Sequence, residues 1–196
     1  MTRTFERRTF PLHDIQIRSV NEDAGQLHFT GRAVVYDQLS EDLGGWQEVT
    51  KPGAATRTLA ANPDVRFLIN HDANLLLART AASTLRLSED ADGVLVDADM
   101  ADVSYARDLA VSLERGDINQ MSFGFWITSD SWSGTLHEVR EFDFEGGDVS
   151  VVTFPAYTQT SAELRTRAQT HLAELRGYPR ERAQRRLTVI DLLVKN

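Results

Sequence analysis

NQMSFGFWIT, residues 119–128, is the stretch whose reading decides the fold. Met121, Phe123, Phe125 and Ile127 fall on one side of an extended strand, and Ser122, Gly124, Trp126 and Thr128 on the other. The apolar side is what a hydrophobic core requires. The opposite side sets a single hydroxyl beside a residue with no side chain, where another part of the chain can approach closely. A serine beside open backbone is also what acyl transfer needs, although a lone strand serine is more often solvated or structural.

Working outward, the chain contains many short strands. Residues 3–20 alternate loosely and supply one or two of them. LHFTGRAVVY (27–36) is a strand with Leu27, Phe29, Gly31, Ala33 and Val35 on one face, and Gly31 marks a bulge or bend. Trp46–Val49 and Val65–Asn70 follow, with Pro52–Ala61 compatible with a short helix between them. Leu75–Thr80, Thr84–Leu87 and Val94–Met100 are further strands. Asp102 is placed to cap a helix over Val103–Arg115 that Gly116 ends. After a polar turn at Ser129–Gly134, strands are expected over Leu136–Phe144 and Asp148–Val152, separated by Gly146-Gly147. Thr160 and Glu163 form a capping box for a helix to about Leu175, with its stripe at Leu164, Ala168, Leu172 and Leu175. Arg180–Val194 is compatible with a last amphipathic helix. The fold class is mainly β (α+β): a compact, mostly antiparallel β-barrel flanked by helices, with a helical C-terminal tail.

Composition narrows the function classes. The 196 residues suit one domain with an appended tail: a body over 1–162 and a tail over 163–196. The absence of cysteine excludes a disulfide framework, a thiolate nucleophile and a cysteine zinc site. The four histidines other than His71 show no metal-ligand spacing, and no glycine-rich phosphate loop is present, so neither metal nor cofactor is expected. Neither a leader-like apolar segment at the N-terminus nor a run long enough to span a membrane is seen, so a soluble intracellular protein is expected. The net charge of −8 argues against nucleic-acid binding. It is unevenly spread: residues 163–196 carry eight Lys/Arg against four acids, so the tail is +4 and residues 1–162 are −12. A basic tail on an acidic body suggests a partner for the tail, or its docking on the body.

Three polar residues sit at strand-associated positions: His71 after VRFLIN, Ser122 in MSFGF, and Asp148 at the head of DVSVVTFPA. Nucleophilic acyl transfer needs a hydroxyl, a base for its proton, and a group that holds the base in the right tautomer. The order His, Ser, Asp differs from the orders of the chymotrypsin, subtilisin and α/β-hydrolase enzymes, but such sites are defined by geometry.

Together, NHD (70–72), MSFGF (121–125) and DVSVVTFPAY (148–157) resemble the signature blocks of the tailed-phage prohead serine proteases, which are distantly similar to herpesvirus assemblins. GRAVVYDQLS (31–40) and EVTKPGA (48–54) resemble that family's opening strand and first helix entry. The resemblance spans roughly residues 28–165. It implies Ser122 as nucleophile and His71 as general base. The third member is implied at Asp148, where relatives commonly carry Glu. Gly146-Gly147 has the look of an insertion that could shift the register, so Glu145 is an alternative. His137 is another, because herpesvirus relatives use a second His. Phe123, Gly124 and Trp126 are the candidate substrate contacts.

The resemblance further implies an endopeptidase that cleaves scaffold protein, or a scaffold-like segment of the major capsid protein, and itself, inside the procapsid assembling in the host cytoplasm. Self-association is a further expectation. The alternative is a catalytically silent assembly module of the same fold. A non-proteolytic esterase is a weaker reading, because the GxSxG elbow is absent.

Overall fold

The computed structural model describes residues 5–11, 16–21, 26–154 and 164–176. The capping box at Thr160–Glu163, most of the loop after Thr153 and the helix expected over Arg180–Val194 lie outside the described residues.

The 119–128 stretch forms the middle of β9 (Gln120–Ser133), which β10 (Leu136–Val152) follows after a tight turn at Gly134, φ +61°. The polar segment at 129–134, expected as a turn, mostly prolongs the strand instead. β9 lies between β1 (Phe5–Pro11) and β10, antiparallel to both. β10 also pairs in parallel with β4 (Gln47–Thr50) near its start and with β5 (Arg66–Ile69) near its end. β6 (Asp72–Arg79) returns antiparallel to β5, giving a sheet in the order β1-β9-β10-β5-β6, with β4 as a branch on β10. A second, four-stranded sheet runs β2 (Gln16–Asn21), β3 (Gln26–Val35), β8 (Gly93–Asp99), β7 (Leu85–Asp90).

No closed barrel forms among the described residues, which corrects that expectation. The first sheet leaves β1 and β6 as edges, and the second leaves β2 and β7. Two open sheets packed on one core satisfy the same alternating pattern that a barrel would, so period-2 hydrophobicity does not separate the two.

The core lies where the two sheets meet. Met121, Phe123, Phe125 and Ile127 are all buried, as their alternation requires. Phe123 stacks on Phe125 at 4.4 Å and meets Phe142 at 5.5 Å, while Phe29 of β3 meets Phe67 of β5 at 4.9 Å. Burying each such ring is worth roughly 3 kcal/mol, so this aromatic cluster dominates the cohesion of the sheet that carries Ser122. In β3 the irregularity falls between Arg32 and Val34, just beyond Gly31, and Val34 as well as Ala33 becomes fully buried.

Helices are few. α1 (Thr56–Ala60) packs on β10, and α2 (Ser104–Glu114) buries Ala106, Leu109 and Ala110. Asp102 does not cap α2; its carboxylate binds the Arg107 guanidinium, and Val103 holds the N-cap position without a side-chain bond. α3 (164–176) joins the core through Leu164, Ala168 and Leu172, with Leu175 exposed.

The two strands expected around Gly146-Gly147 are one strand with a bulge. Asp143 pairs with Trp126 and Asp148 with Gly124, so five residues of β10 cover a span where β9 uses two. The odd number reverses neither face. Asp143 and Asp148 both lie opposite the core, while Phe142, Phe144, Val149 and Val151 stay in it. α1 anchors the bulge: Thr58 Oγ1 accepts the Phe144 N–H at 2.9 Å and donates to Asp143 Oδ1 at 3.1 Å. On its far side the Trp126 indole N–H donates to the Glu145 carbonyl at 3.1 Å.

Gly147 is needed here because a Cβ would stand 2.1 Å from the Gly124 carbonyl oxygen. Gly147→Ala must therefore move backbone on β9 or β10. We expect a loss of about 2 kcal/mol or more, checked by denaturant titration, with activity falling alongside because Asp148 is the next residue.

Candidate active site

β9 and β10 together build one wall of the site. Ser122 pairs with Ser150, and Gly124 with Asp148, so these four residues share the face opposite the aromatic core. Gly124 leaves room for what surrounds it: a Cβ there would lie 2.9 Å from Asp148 Oδ1 and 2.7 Å from the Phe5 ring. The open spot that the sequence shows beside Ser122 is thus filled by the carboxylate and by β1.

The base arrives from the neighbouring strand. β5 runs parallel to the end of β10, and Ile69 pairs with Asp72 of β6, so Asn70 and His71 are the two central residues of a tight hairpin. Their φ values are +53° and +59°. A two-residue turn of this hand requires positive φ at both positions. Asn tolerates it, whereas His there costs roughly 1 kcal/mol. The turn is held from outside. The Asn70 side chain donates to Thr153 Oγ1 at 3.1 Å and accepts the Thr153 N–H at 2.9 Å, and the Asn70 N–H donates to the Val151 carbonyl at 2.9 Å. The strained turn swings the imidazole back over β10.

There His71 Nδ1 lies 2.7 Å from Asp148 Oδ2, and Nε2 lies 2.8 Å from Ser122 Oγ. An ionised carboxylate only accepts, so Nδ1 carries the proton and Nε2 accepts from the Ser122 hydroxyl. Ser122 is fully buried, and the His71 and Asp148 side chains are each 10% exposed. The arrangement can remove a proton from Ser122, hold it on the imidazole, and stabilise the resulting cation with Asp148.

A model of the caudovirus prohead serine protease family matches residues 13–174 of this chain. The chain belongs to this family. Among solved structures, the bacteriophage T4 capsid assembly protease gp21 is similar, with a TM-score of 0.52 and 11% sequence identity. The match covers 76% of this chain and 98% of that one. At that identity the likeness concerns the fold. No curated protein matches the sequence.

Within this prohead protease fold, the structure brings Ser122, His71 and Asp148 together and leaves the other candidates apart. Glu145 is exposed on the bulge, its carbonyl accepting the Trp126 indole N–H at 3.1 Å and its own N–H donating to Asp143 Oδ1 at 3.0 Å. Phe123, a candidate substrate contact, is corrected: it is fully buried in the aromatic core, because alternation that exposes Ser122 to His71 turns its neighbour inward. Gly124 faces Asp148 and Phe5. Trp126 is half-buried, edge-on to Phe5 at 5.1 Å. Asp97 and Asp99, acids near a strand end, are engaged by Arg86 and His28.

Sequence reasoning passed over Ser150, whose hydroxyl touches Asp148. Its signal was there in DVS: residues i and i+2 of a strand share a face.

His137 sits at the other end of β10, fully buried. Its Nδ1 is 2.8 Å from Glu48 Oε2 and its Nε2 is 2.7 Å from Asp130 Oδ2. Arg8 closes on Glu48 from one side, and Arg167 of α3 reaches Asp130 at 2.6 Å from the other. Burial opposes charge on Glu48, but the Arg8 guanidinium outweighs it and holds the carboxyl at about 2. Burial likewise opposes charge on His137, yet bonds to Asp130 and Glu48 prevail and raise it above the ordinary histidine value. His137 is therefore a buried cation that latches α3 to the sheet.

A group raised on folding adds stability that is complete below its unfolded value of about 6.5 and disappears as pH rises through the higher folded value. We expect the melting temperature of the wild type to fall relative to His137→Gln as pH rises above about 6.5. Thermal melts across that range check this.

Proposed function

We propose that this chain is the serine endopeptidase that matures the procapsid, cleaving scaffold protein or a scaffold-like segment of the major capsid protein, and its own ends. The observation that carries the reading is the unbroken line Asp148 Oδ2–His71–Ser122 Oγ, with links of 2.7 and 2.8 Å. Ser122 would attack the scissile carbonyl while His71 Nε2 takes its proton and returns it to the leaving amine. Water, activated by the same imidazole, then hydrolyses the acyl-enzyme. Asp148 orients the ring through Nδ1. β9 has strands on both sides, which occupy the amides flanking Ser122, so the oxyanion donors come from chain beyond it.

Membership of the prohead protease family supports the substrate assignment and action inside the procapsid. No helix among the described residues is long and apolar enough to cross a membrane. The basic residues of 163–196 would engage the acidic scaffold or capsid interior.

Co-expression with the scaffold and major capsid precursors, wild type against Ser122→Ala, tests the reading by intact mass. Truncation of a precursor or of this chain's ends, lost in Ser122→Ala, supports it. A silent assembly module is the second reading, favoured by the complete burial of Ser122. Unchanged masses with retained co-assembly would select it.

A further inference from the structure

We propose that Ser150 is a fourth, positioning residue of this site, tying the acid and the base to each other through one hydroxyl. The inference rests on the reading of Ser122, His71 and Asp148 as the proteolytic machinery. Ser150 is fully buried, and its Oγ donates to Asp148 Oδ2 at 2.6 Å. The same oxygen accepts the backbone N–H of His71 at 3.3 Å. A hydroxyl can donate once and accept, so both bonds form together.

Each bond answers a need that the local backbone creates. His71 is held at φ +59°, and its N–H, at the hairpin tip, has no ladder partner of its own; the Ser150 hydroxyl supplies one. Asp148 follows the bulge, where the strand is least regular, and its carboxylate could rotate about the side chain. Two donors on the same oxygen, Ser150 Oγ and His71 Nδ1, fix that rotation and hold Oδ2 in the direction of the ring. Alternation places Ser150 two residues from Asp148, and the β9–β10 register places it beside Ser122. Ser150 does not compete as a nucleophile, because its proton is committed to a carboxylate.

Ser150 therefore acts through Asp148 and His71, with no contact to substrate required. Its removal should slow the chemical step and leave binding alone. The test uses the full chain and a peptide spanning the cleavage site mapped by the co-expression experiment. Ser150→Ala is expected to lower kcat about 10- to 100-fold with KM changed less than about 3-fold, and Ser150→Thr to restore most of kcat. The low-field proton resonance of His71 Nδ1–H should shift or broaden in Ser150→Ala and return in Ser150→Thr. Should the alanine variant not fold, Ser150→Cys, similar in volume and a weak donor, takes its place, with the same direction of change expected.

Wild-type kcat in the alanine or cysteine variant, or an unmoved imidazole resonance, would overturn the inference. A purely structural serine would lower the melting temperature and leave kcat per folded molecule unchanged, which also overturns it. Absence of cleavage by the wild type is a different failure. It removes the proteolytic reading, while the resonance still reports whether Ser150 holds His71 and Asp148 in register.

Discussion

Ser122→Ala is expected to abolish processing of the capsid precursors, lowering kcat about 10⁴- to 10⁶-fold on a mapped peptide. The size follows from what the hydroxyl does. It is the hydroxyl that meets His71 Nε2, at 2.8 Å. Without it, the imidazole has no proton to take and no acyl intermediate can form. The variant should keep its fold, because Ser122 contributes one hydrogen bond while Met121, Phe123 and Phe125 hold the strand in the core. A melting temperature within about 3 °C of wild type is expected. Kinetics and melting together distinguish a lost nucleophile from a lost strand.

The second large effect concerns the third residue. Asp148→Asn is expected to cost about 10⁴-fold in kcat, since an amide can present an N–H to His71 Nδ1 and so favour the wrong tautomer. Glu145→Gln and His137→Gln should each leave kcat within about 3-fold, for different reasons. Glu145 stands exposed on the bulge, whereas His137 serves the Glu48–Asp130 latch at the other end of β10. Rates of the three variants on the same peptide decide among the three candidates. A large loss in Glu145→Gln with a small one in Asp148→Asn would reverse the assignment made from the hydrogen bonds.

How much of this was legible beforehand depends on the element. Alternation in 119–128 was enough to assign the core face of β9, because period-2 burial is a local property of a strand. His71 and Asp148 were visible as polar residues at the ends of apolar runs, and family resemblance joined them to Ser122. Their register was not legible. Whether Asp148 or Glu145 meets His71 depends on how Gly146-Gly147 is absorbed, and that is decided by contacts distant in sequence: Thr58 on Phe144 and Asp143, and Trp126 on Glu145. Phe123 was misassigned to substrate for a related reason. Its place next to the nucleophile in sequence is, in a strand, a place on the opposite face. The barrel expectation failed because closure depends on which edges pair, and edge pairing leaves no mark on hydrophobic periodicity. His137 appeared only as an alternative to Asp148 and Glu145 for the orienting residue; its role as a buried cation needs Glu48, Asp130 and Arg167 from three other elements.

The most direct test of the central claim is to treat the full chain with a fluorophosphonate under conditions in which it cleaves its partner, then map the adduct by peptide mass. A single adduct on Ser122, absent in His71→Ala, is the result expected of a serine activated by that histidine. An adduct on another residue, or none while cleavage continues, would contradict it.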